Sequence, residues 1–571
     1  MFGNSKKNST FAELRKQKNM IEENMVCNDK MTFPAVFNKT LSCFSTRNAY
    51  SFVGEQPITF NQANITIKAL MAFFEKNGIN SGDRVAILSQ SMPNWGLVFF
   101  SITFMGAVAI PILPDFSATE VQNVLEHSET KAVFVSSSLM SKIEDYQNET
   151  LKTVIQIEDF NIISSVNSSH AFNHADEPQN RYNVEENDIA SIIYTSGTTG
   201  RSKGVMLTHK NIVFNAMKGR KLQWVNENDR FLSVLPMSHS YENTLGLILP
   251  LLGGACVYYL RKAPTPAVLL PALAEVKPTV MLSVPLIIEK IYFNKILPTF
   301  REKAILNFLY KIPVFRKILH KAAGKTLMKT FGGKLIFFGI GGSKLNKNVE
   351  RFLYEAKFPY AIGYGLTETA PLIAGANPKD QVFESTGPAI EELELMLNAP
   401  DAKTGEGEIW VKGASVMQGY YKEPKLTEEV LTSEGWFKTG DLGTLDKNNN
   451  LYIKGRIKTM IVGSSGENIY PEEIESVINN FRYVIESLVI EKKGKLVAMV
   501  HLNMEEFEKK YQHLKEGMSE KFEEKKQELI AELQEYVNSQ VSKFCQINMV
   551  VLQPVPFQKT ATAKIKRFLY T

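Results

Sequence analysis

Cysteine is scarce: Cys27, Cys43, Cys256 and Cys545 are scattered through 571 residues. None forms a CxxC pair, and no histidine cluster has ligand spacing. That argues against a disulfide framework or a cysteine–histidine zinc site and fits a reducing compartment. Net charge is also small, +5 at pH 7, which gives no support to a nucleic-acid partner. The N-terminus, MFGNSKKNSTFAELRKQKNM, has positive charge but no apolar core, so it does not read as a secretory signal. Two long stretches lack charge, Val85 to Pro114 and Asn243 to Leu260. Pro93, Pro111 and Pro114 break the first; Pro250 and the pair Gly253 and Gly254 break the second. A spanning helix needs ~20 predominantly apolar residues, so both are expected to be buried helix-turn-strand units. No internal repeat is evident.

What is present is ordinary for a large globular protein: 44% hydrophobic and 22% charged residues. At this length a single core is not enough, and at least two domains are expected. Short apolar runs read as buried parallel strands: Arg84 to Leu88, Ala132 to Val135, Thr153 to Ile157, Ala190 to Thr195 and Leu335 to Ile340. Amphipathic helical stretches alternate with them, which predicts an α/β fold with parallel sheets. Ser164 to Asp188 reads as a surface connection, and DKNNN from Asp446 to Asn450 as a hairpin turn. The pattern changes after Arg456 to a smaller α+β unit. Within it, Glu505 to Gln540 reads as two amphipathic helices in series.

Charge is concentrated in one segment. Tyr292 to Phe331 holds nine Lys/Arg and one acid, so the rest of the chain is slightly acidic. FLYKIPVFRKILHKAAGK interleaves these cations with Phe, Leu, Ile and Tyr. Such a stretch can rest on an anionic bilayer, or it can be a helical hairpin with a solvated basic face.

The strongest chemical signal is YTSGTTGRSKG, Tyr194 to Gly204. Gly197, Gly200 and Gly204 let backbone N–H groups turn toward an anion. Thr195, Ser196, Thr198 and Thr199 add hydroxyls, and Arg201 and Lys203 add charge suited to a polyphosphate. The loop is not a Walker A motif, because the spacing from Gly197 arrives at Ser202. It follows a strand and precedes what reads as a helical run, MLTHKNIVFNAM. Alone it implies only an anion-binding turn.

Further blocks follow in order: LPMSHSYE (Leu235 to Glu242), GIGGSKL (Gly339 to Leu345), GYGLTETAP (Gly363 to Pro371), GWFKTGDLG (Gly435 to Gly443), KGRIKTMIVGSSGENIYPEEIE (Lys454 to Glu475) and KTATAKIKRF (Lys559 to Phe568). Together with the loop they resemble the adenylate-forming superfamily of acyl-CoA synthetases, luciferases and adenylation domains. The likeness covers nearly the whole chain and is nearest to bacterial long-chain fatty acid–CoA ligases.

The resemblance implies an α/β fold: stacked α/β subdomains with a small β-barrel in an N-terminal domain, 1–457, and a small mobile α+β domain, 458–571. It implies ATP and Mg²⁺ as cofactors, coenzyme A as co-substrate and a fatty acid as substrate. By resemblance Thr195 to Gly200 with Lys203 hold the phosphates. Gly341, Gly342 and Ser343, with Gly363, Tyr364 and Gly365, pack the nucleotide. Thr367 contacts the α-phosphate; Glu368, with Thr195, holds Mg²⁺. Asp441 accepts the ribose hydroxyls with Arg456 as its partner. Lys564 is the adenylation lysine and Lys458 the hinge. His239, Gly339 and Gly341 line the acyl site. Two departures stand out: Thr459 where relatives often carry an acid after the hinge, and Leu286 where long-chain relatives often carry Arg. Other acceptors stay open: an acyl-carrier-protein thiol, release of the acyl-adenylate, or a membrane-associated fatty-acid binder without catalysis. The expected location is the cytoplasm, with peripheral contact at the inner face of the cell membrane through 292–331.

Overall fold

The computed structural model describes residues 30–570 apart from 147, 167–169, 197–201, 463–466, 493, 516–518 and 561–563. Two large sheets dominate. One has eight strands in the order Gly419–Tyr420, Ser202–Thr208, Ile189–Ser196, Val108–Ile112, Arg84–Leu88, Ala132–Val135, Thr153–Gln156 and Ile162–Ser165. Its central neighbours are parallel, and antiparallel pairs close both ends. The other has seven strands: Tyr360–Ile362, Phe337–Ile340, Val280–Ser283, Arg230–Ser233, Cys256–Tyr259, Asn48–Phe52 and Ile58–Thr59.

The central strands are apolar on both faces because helices cover both faces, as parallel sheets require. The helices Phe33–Phe44, Phe60–Lys76, Pro93–Phe104 and His209–Leu222 contribute to one large shared core. Pro93–Phe104 buries Trp95 and Leu97 through Thr103, which explains why Val85 to Pro114 carries no charge. The second uncharged stretch likewise becomes a π-helical turn (Asn243–Ile248), a short helix (Leu249–Gly253) and a strand (Cys256–Tyr259). Among the described residues no helix is long and apolar enough to cross a membrane.

A third sheet has four antiparallel strands in the order Glu394–Asn398, Gly407–Lys412, Phe437–Leu445, Leu451–Arg456, and among the described residues its outer strands do not pair to close a barrel. Asp446 closes its last hairpin by accepting from the N–H groups of Asn448 and Asn450. After Arg456 a separate core begins. Its buried residues run from Ile469 to Ile547 and gather around the strands Val484–Lys492, Lys495–Leu502 and Met549–Leu552. The charged region forms two helices, Met504–Lys515 and Ser519–Asn538.

One sequence expectation fails here. The glycine-rich loop does not lead into a helix. Ile189–Ser196 and Ser202–Thr208 form an antiparallel hairpin with Thr195 opposite Lys203 and Ser196 opposite Ser202, and the helix begins only at His209. Met206 to Thr208 belong to the strand because they add a layer to the eight-stranded sheet. The strands flanking the loop are therefore paired with each other, and a strand, not a helix N-terminus, follows it.

Candidate functional site

The site lies where the two large sheets, the four-stranded sheet and the C-terminal unit meet. Asp441 and Arg456 are opposite each other on neighbouring strands. Arg456 Nε lies 3.0 Å from Asp441 Oδ1, and the Tyr364 hydroxyl donates to Oδ2 at 2.8 Å. Burial raises the Asp441 pKa, while Arg456 and Tyr364 oppose that shift. The same carboxylate raises the pKa of Arg456, and burial with Asp441 keeps Tyr364 protonated. About half of the Arg456 side chain stays accessible, so its outer N–H groups remain available to an anion.

Tyr364 and Gly365 start the turn that carries Thr367 and Glu368. A Cβ on Gly365 would sit 1.8 Å from the Pro371 carbonyl oxygen, so only glycine lets the chain double back here. Thr369 fixes the turn: its hydroxyl accepts from Leu366 N at 3.1 Å and donates to Pro371 O at 2.6 Å. Ser240 Oγ reaches Thr367 Oγ1 at 3.4 Å, joining this turn to the LPMSHSYE block. Tyr420, not anticipated from the motifs, donates its hydroxyl to Glu368 Oε1 at 2.9 Å. The Lys203 ammonium lies 4.8 Å from the Tyr420 ring centroid.

Lys564 comes into this group from the far end of the chain. Its backbone is held by Thr560, whose hydroxyl accepts from Lys564 N at 3.2 Å. Burial among protein groups, then repulsion from Arg456, lowers its pKa; Asp441, Glu368 and Glu472 pull the other way. Lys564 nevertheless keeps exposed surface. His239 faces the same ammonium. Burial and Lys564 push its pKa down to about 4, so it is neutral near pH 7, and its Nδ1 accepts from Tyr241 N at 3.2 Å.

The other motif residues take less central positions. Ser343 and Gly342 are exposed at the end of strand Phe337–Ile340, and Gly341 N donates to Ser283 O at 3.1 Å. Lys458 is exposed in the turn after Arg456. Thr195, next to the end of its strand, is half-buried opposite Lys203. Gly197 to Arg201 and the side chain of Ser196 lie outside the described residues.

Tyr241 was also missed. Its ring packs over Gly339 and Gly341, whose Cβ atoms would stand 3.1 Å from its hydroxyl and 3.3 Å from its ring. Behind it opens an apolar pocket lined by Leu245, Leu249, Leu282, Phe337, Gly339 and Gly363, among others, with a cavity volume of about 50 Å³. Motif spacing gives no hint of Tyr420 meeting Glu368, and only the aromatic habit of LPMSHSYE points toward Tyr241.

Among the described residues no cluster of three His, Cys, Asp or Glu could hold a metal. Glu368 is half-buried and one of its oxygens is free of Tyr420. A single carboxylate suits Mg²⁺, which binds through one or two carboxylates plus substrate phosphates and water.

Fold and site together define an adenylate-forming enzyme. The chain belongs to the AMP-binding enzyme family, whose family model matches residues 37–421. It is 28% identical over 75% of its length to the peroxisomal long chain acyl-CoA synthetase 6 of Arabidopsis thaliana and spans 65% of that enzyme. It is 28% identical over 79% of its length to the long-chain-fatty-acid–CoA ligase FadD15 of Mycobacterium bovis, spanning 78% of it. A 4-coumarate–CoA ligase of Arabidopsis thaliana is 26% identical over 77% of this chain and 77% of that enzyme. In structure, the o-succinylbenzoate CoA synthetase of Bacillus subtilis with its acyl-adenylate aligns at TM-score 0.72 and 22% identity, covering 94% of this chain and 98% of that one. The fatty acyl CoA synthetase of Mycobacterium tuberculosis aligns at TM-score 0.63 and 23% identity, covering 94% and 97%. These relationships make the chain an AMP-forming acid–thiol ligase, a class that uses ATP with Mg²⁺ and passes the acyl group to coenzyme A.

Proposed function

We propose that the chain ligates long-chain fatty acids to coenzyme A through an acyl-adenylate. The observation that carries the substrate class is the apolar pocket beside Tyr241, which has almost no polar lining. An aliphatic tail gains about 0.8 kcal/mol for each buried CH₂, so this lining favours an aliphatic acid over a polar one, and the long-chain ligases among its relatives support a long tail.

The acid's carboxylate attacks the α-phosphate of ATP and pyrophosphate leaves, giving a mixed anhydride. Negative charge builds on the phosphorus oxygens, and fixed cations and donors stabilise it. Lys564 and Thr367 supply those donors, while Asp441 receives the ribose hydroxyls and Arg456 braces it. The loop 195–204 with Lys203 holds the β- and γ-phosphates. Gly341, Gly342, Ser343 and Gly363 to Gly365 flank the base, and neutral His239 borders the acyl entrance. Glu368, with the Thr195 hydroxyl, would hold Mg²⁺, which would neutralise phosphate charge. The C-terminal domain, 458–571, then swings about Lys458 to bring the thiol of coenzyme A to the adenylate. The separate core beyond residue 461 supports that boundary.

Release of AMP, measured over acids of increasing length with and without coenzyme A, tests this reading. Short acids outperforming long ones would overturn the substrate class. Turnover without coenzyme A, or only with an acyl-carrier protein, would overturn the acceptor. A pure binder would show no ATP–pyrophosphate exchange.

The basic segment supports peripheral membrane contact. Ile305, Phe308, Val314, Phe315 and Ile318 are exposed on the helices Ala304–Lys311 and Pro313–Thr330. Lys303, Lys311, Lys317, Lys321 and Lys325 are exposed on the same pair. The opposite side is pinned inward: Arg316 and His320 both contact Glu355 at 2.7 Å, and Tyr310 bonds His320 at 3.1 Å and Tyr292 at 2.9 Å. An apolar tip ringed by lysines suits an anionic bilayer. Co-flotation with anionic but not neutral vesicles, weakened in Phe308→Asp, is the expected result.

A further inference from the structure

Tyr420 stands between two opposite charges of the site. Its hydroxyl donates to Glu368 Oε1 at 2.9 Å, and the Lys203 ammonium lies 4.8 Å from its ring centroid. The backbone around it ties the same two elements together. Met417 N donates to Glu368 O at 2.9 Å, Gln418 N to Met206 O at 3.0 Å and Tyr421 N to Gly204 O at 2.8 Å. Gly419 and Tyr420 pair with Met206 and Val205 on the second strand of the phosphate hairpin. Gly419 has φ of +144°, and a Cβ there would lie 2.7 Å from the Thr427 methyl. Thr427 Oγ1 in turn accepts from Tyr420 N at 2.9 Å. The direction of the ring is therefore fixed by backbone and by a neighbouring helix.

We infer that Tyr420 is a positioning residue: it orients Glu368 toward the nucleotide's divalent cation and prevents Lys203 from closing onto Glu368 as an ion pair. Two consequences follow from the geometry. With Oε1 occupied, the other oxygen is the one presented to a hard cation, and the carboxylate cannot rotate freely. With the aromatic face under its ammonium, Lys203 has a resting partner that is weaker than a carboxylate. It is therefore available to phosphate. Without the ring, two opposite charges would pair directly and both would be withdrawn from the ligand. The inference rests on the proposed metal-side role of Glu368.

Calorimetric titration of ATP in the absence of fatty acid, with and without Mg²⁺, separates the two. In the unaltered enzyme, Mg²⁺ is expected to increase ATP affinity. Tyr420→Phe keeps the ring and is expected to cut that gain about tenfold, as loss of an outer partner of a metal ligand does. Its metal-free ATP affinity should be unchanged. Saturating Mg²⁺ should restore kcat, and thioester formation from supplied acyl-AMP should be unaffected. Tyr420→Leu should also weaken metal-free ATP binding, because Lys203 then falls onto Glu368. Glu368→Gln should abolish the Mg²⁺ gain. If Glu368→Gln keeps that gain, the role of Glu368 itself fails. If Glu368→Gln loses it while Tyr420→Phe keeps it in full, the positioning role of Tyr420 is overturned. A Tyr420→Leu enzyme with normal metal-free ATP affinity would overturn the spacing of Lys203.

Discussion

Asp441 and Arg456 sit opposite each other in register on adjacent antiparallel strands, 3.0 Å apart at Oδ1 and Nε. The pairing leaves the carboxylate half of its acceptor sites and the guanidinium most of its donors. Asp441 already receives one donor on each oxygen, and a carboxylate has about four acceptor sites, so two diol hydroxyls can still be accommodated. Asp441→Asn should preserve the fold and the Tyr364 contact but lose the charge. Hydrogen bonds to charged groups are worth about 1.5–3 kcal/mol, so KM for ATP should rise about 10- to 100-fold. Steady-state kinetics against ATP reads this directly; an unchanged KM would separate the pair from the ribose.

Lys564 reaches the site only because the C-terminal unit is folded against the rest. Lys564→Ala should lower adenylation about 10²- to 10³-fold, the usual loss of one transition-state donor. Thioester formation from supplied acyl-AMP should persist. Equal loss in both half-reactions would refute the assigned role.

The seam between the units carries its own contacts. Lys344 Nζ lies 2.6 Å from Glu473 Oε1, and the cap residue Asn346 reaches Ser476 Oγ at 3.3 Å. Lys344→Glu should favour the second half-reaction over the first by destabilising this arrangement. Adding Glu473→Lys should restore the balance, because contacting residues couple rather than add. Pyrophosphate exchange compared with thioester formation is the measurement. Exposed pairs are worth only about 0.2–1 kcal/mol, so the shift should be less than about tenfold.

Glu242 is buried, accepts from Ser233 Oγ at 2.5 Å and has its pKa raised by burial to about 8. The folded protein therefore holds a proton that the unfolded chain releases at an ordinary carboxyl pKa. Stability from this group is greatest below that ordinary value and declines as pH rises toward 8. Glu242→Gln keeps a hydrogen-bonding side chain without the titration. Its Tm, followed from pH 5 to 9, should fall less with pH than that of the unaltered protein. Parallel curves would remove Glu242 from the account.

Strands were readable wherever burial on both faces produced an unbroken apolar run. Arg84–Leu88 and Ala132–Val135 have the limits their composition suggests. The phosphate hairpin was misread at its exit. Met206 to Thr208 look equally suited to helix or strand, and sheet pairing across the fold decides between them. Blocks containing Asp441, Arg456 and Lys564 pointed to residues that meet, although Arg456 and Lys564 are far apart in sequence. Tyr420 could not be found this way, since its role depends on a strand that joins the sheet edge 52 residues after Glu368. Tyr241 and the pocket were hidden for a related reason: a cavity is made by what several elements leave empty.

Four of the residues lining that pocket are glycines from different parts of the chain: Gly219, Gly339, Gly363 and Gly375. A Cβ at any of them would come within 3.2 Å of another lining side chain, Leu245, Phe337, Leu372 or Leu222 respectively. Every glycine codon becomes an alanine codon by one base change at its second position. Each of these four single-base steps would therefore crowd the pocket from a different part of the chain, leaving Asp441, Arg456 and Lys564 unchanged.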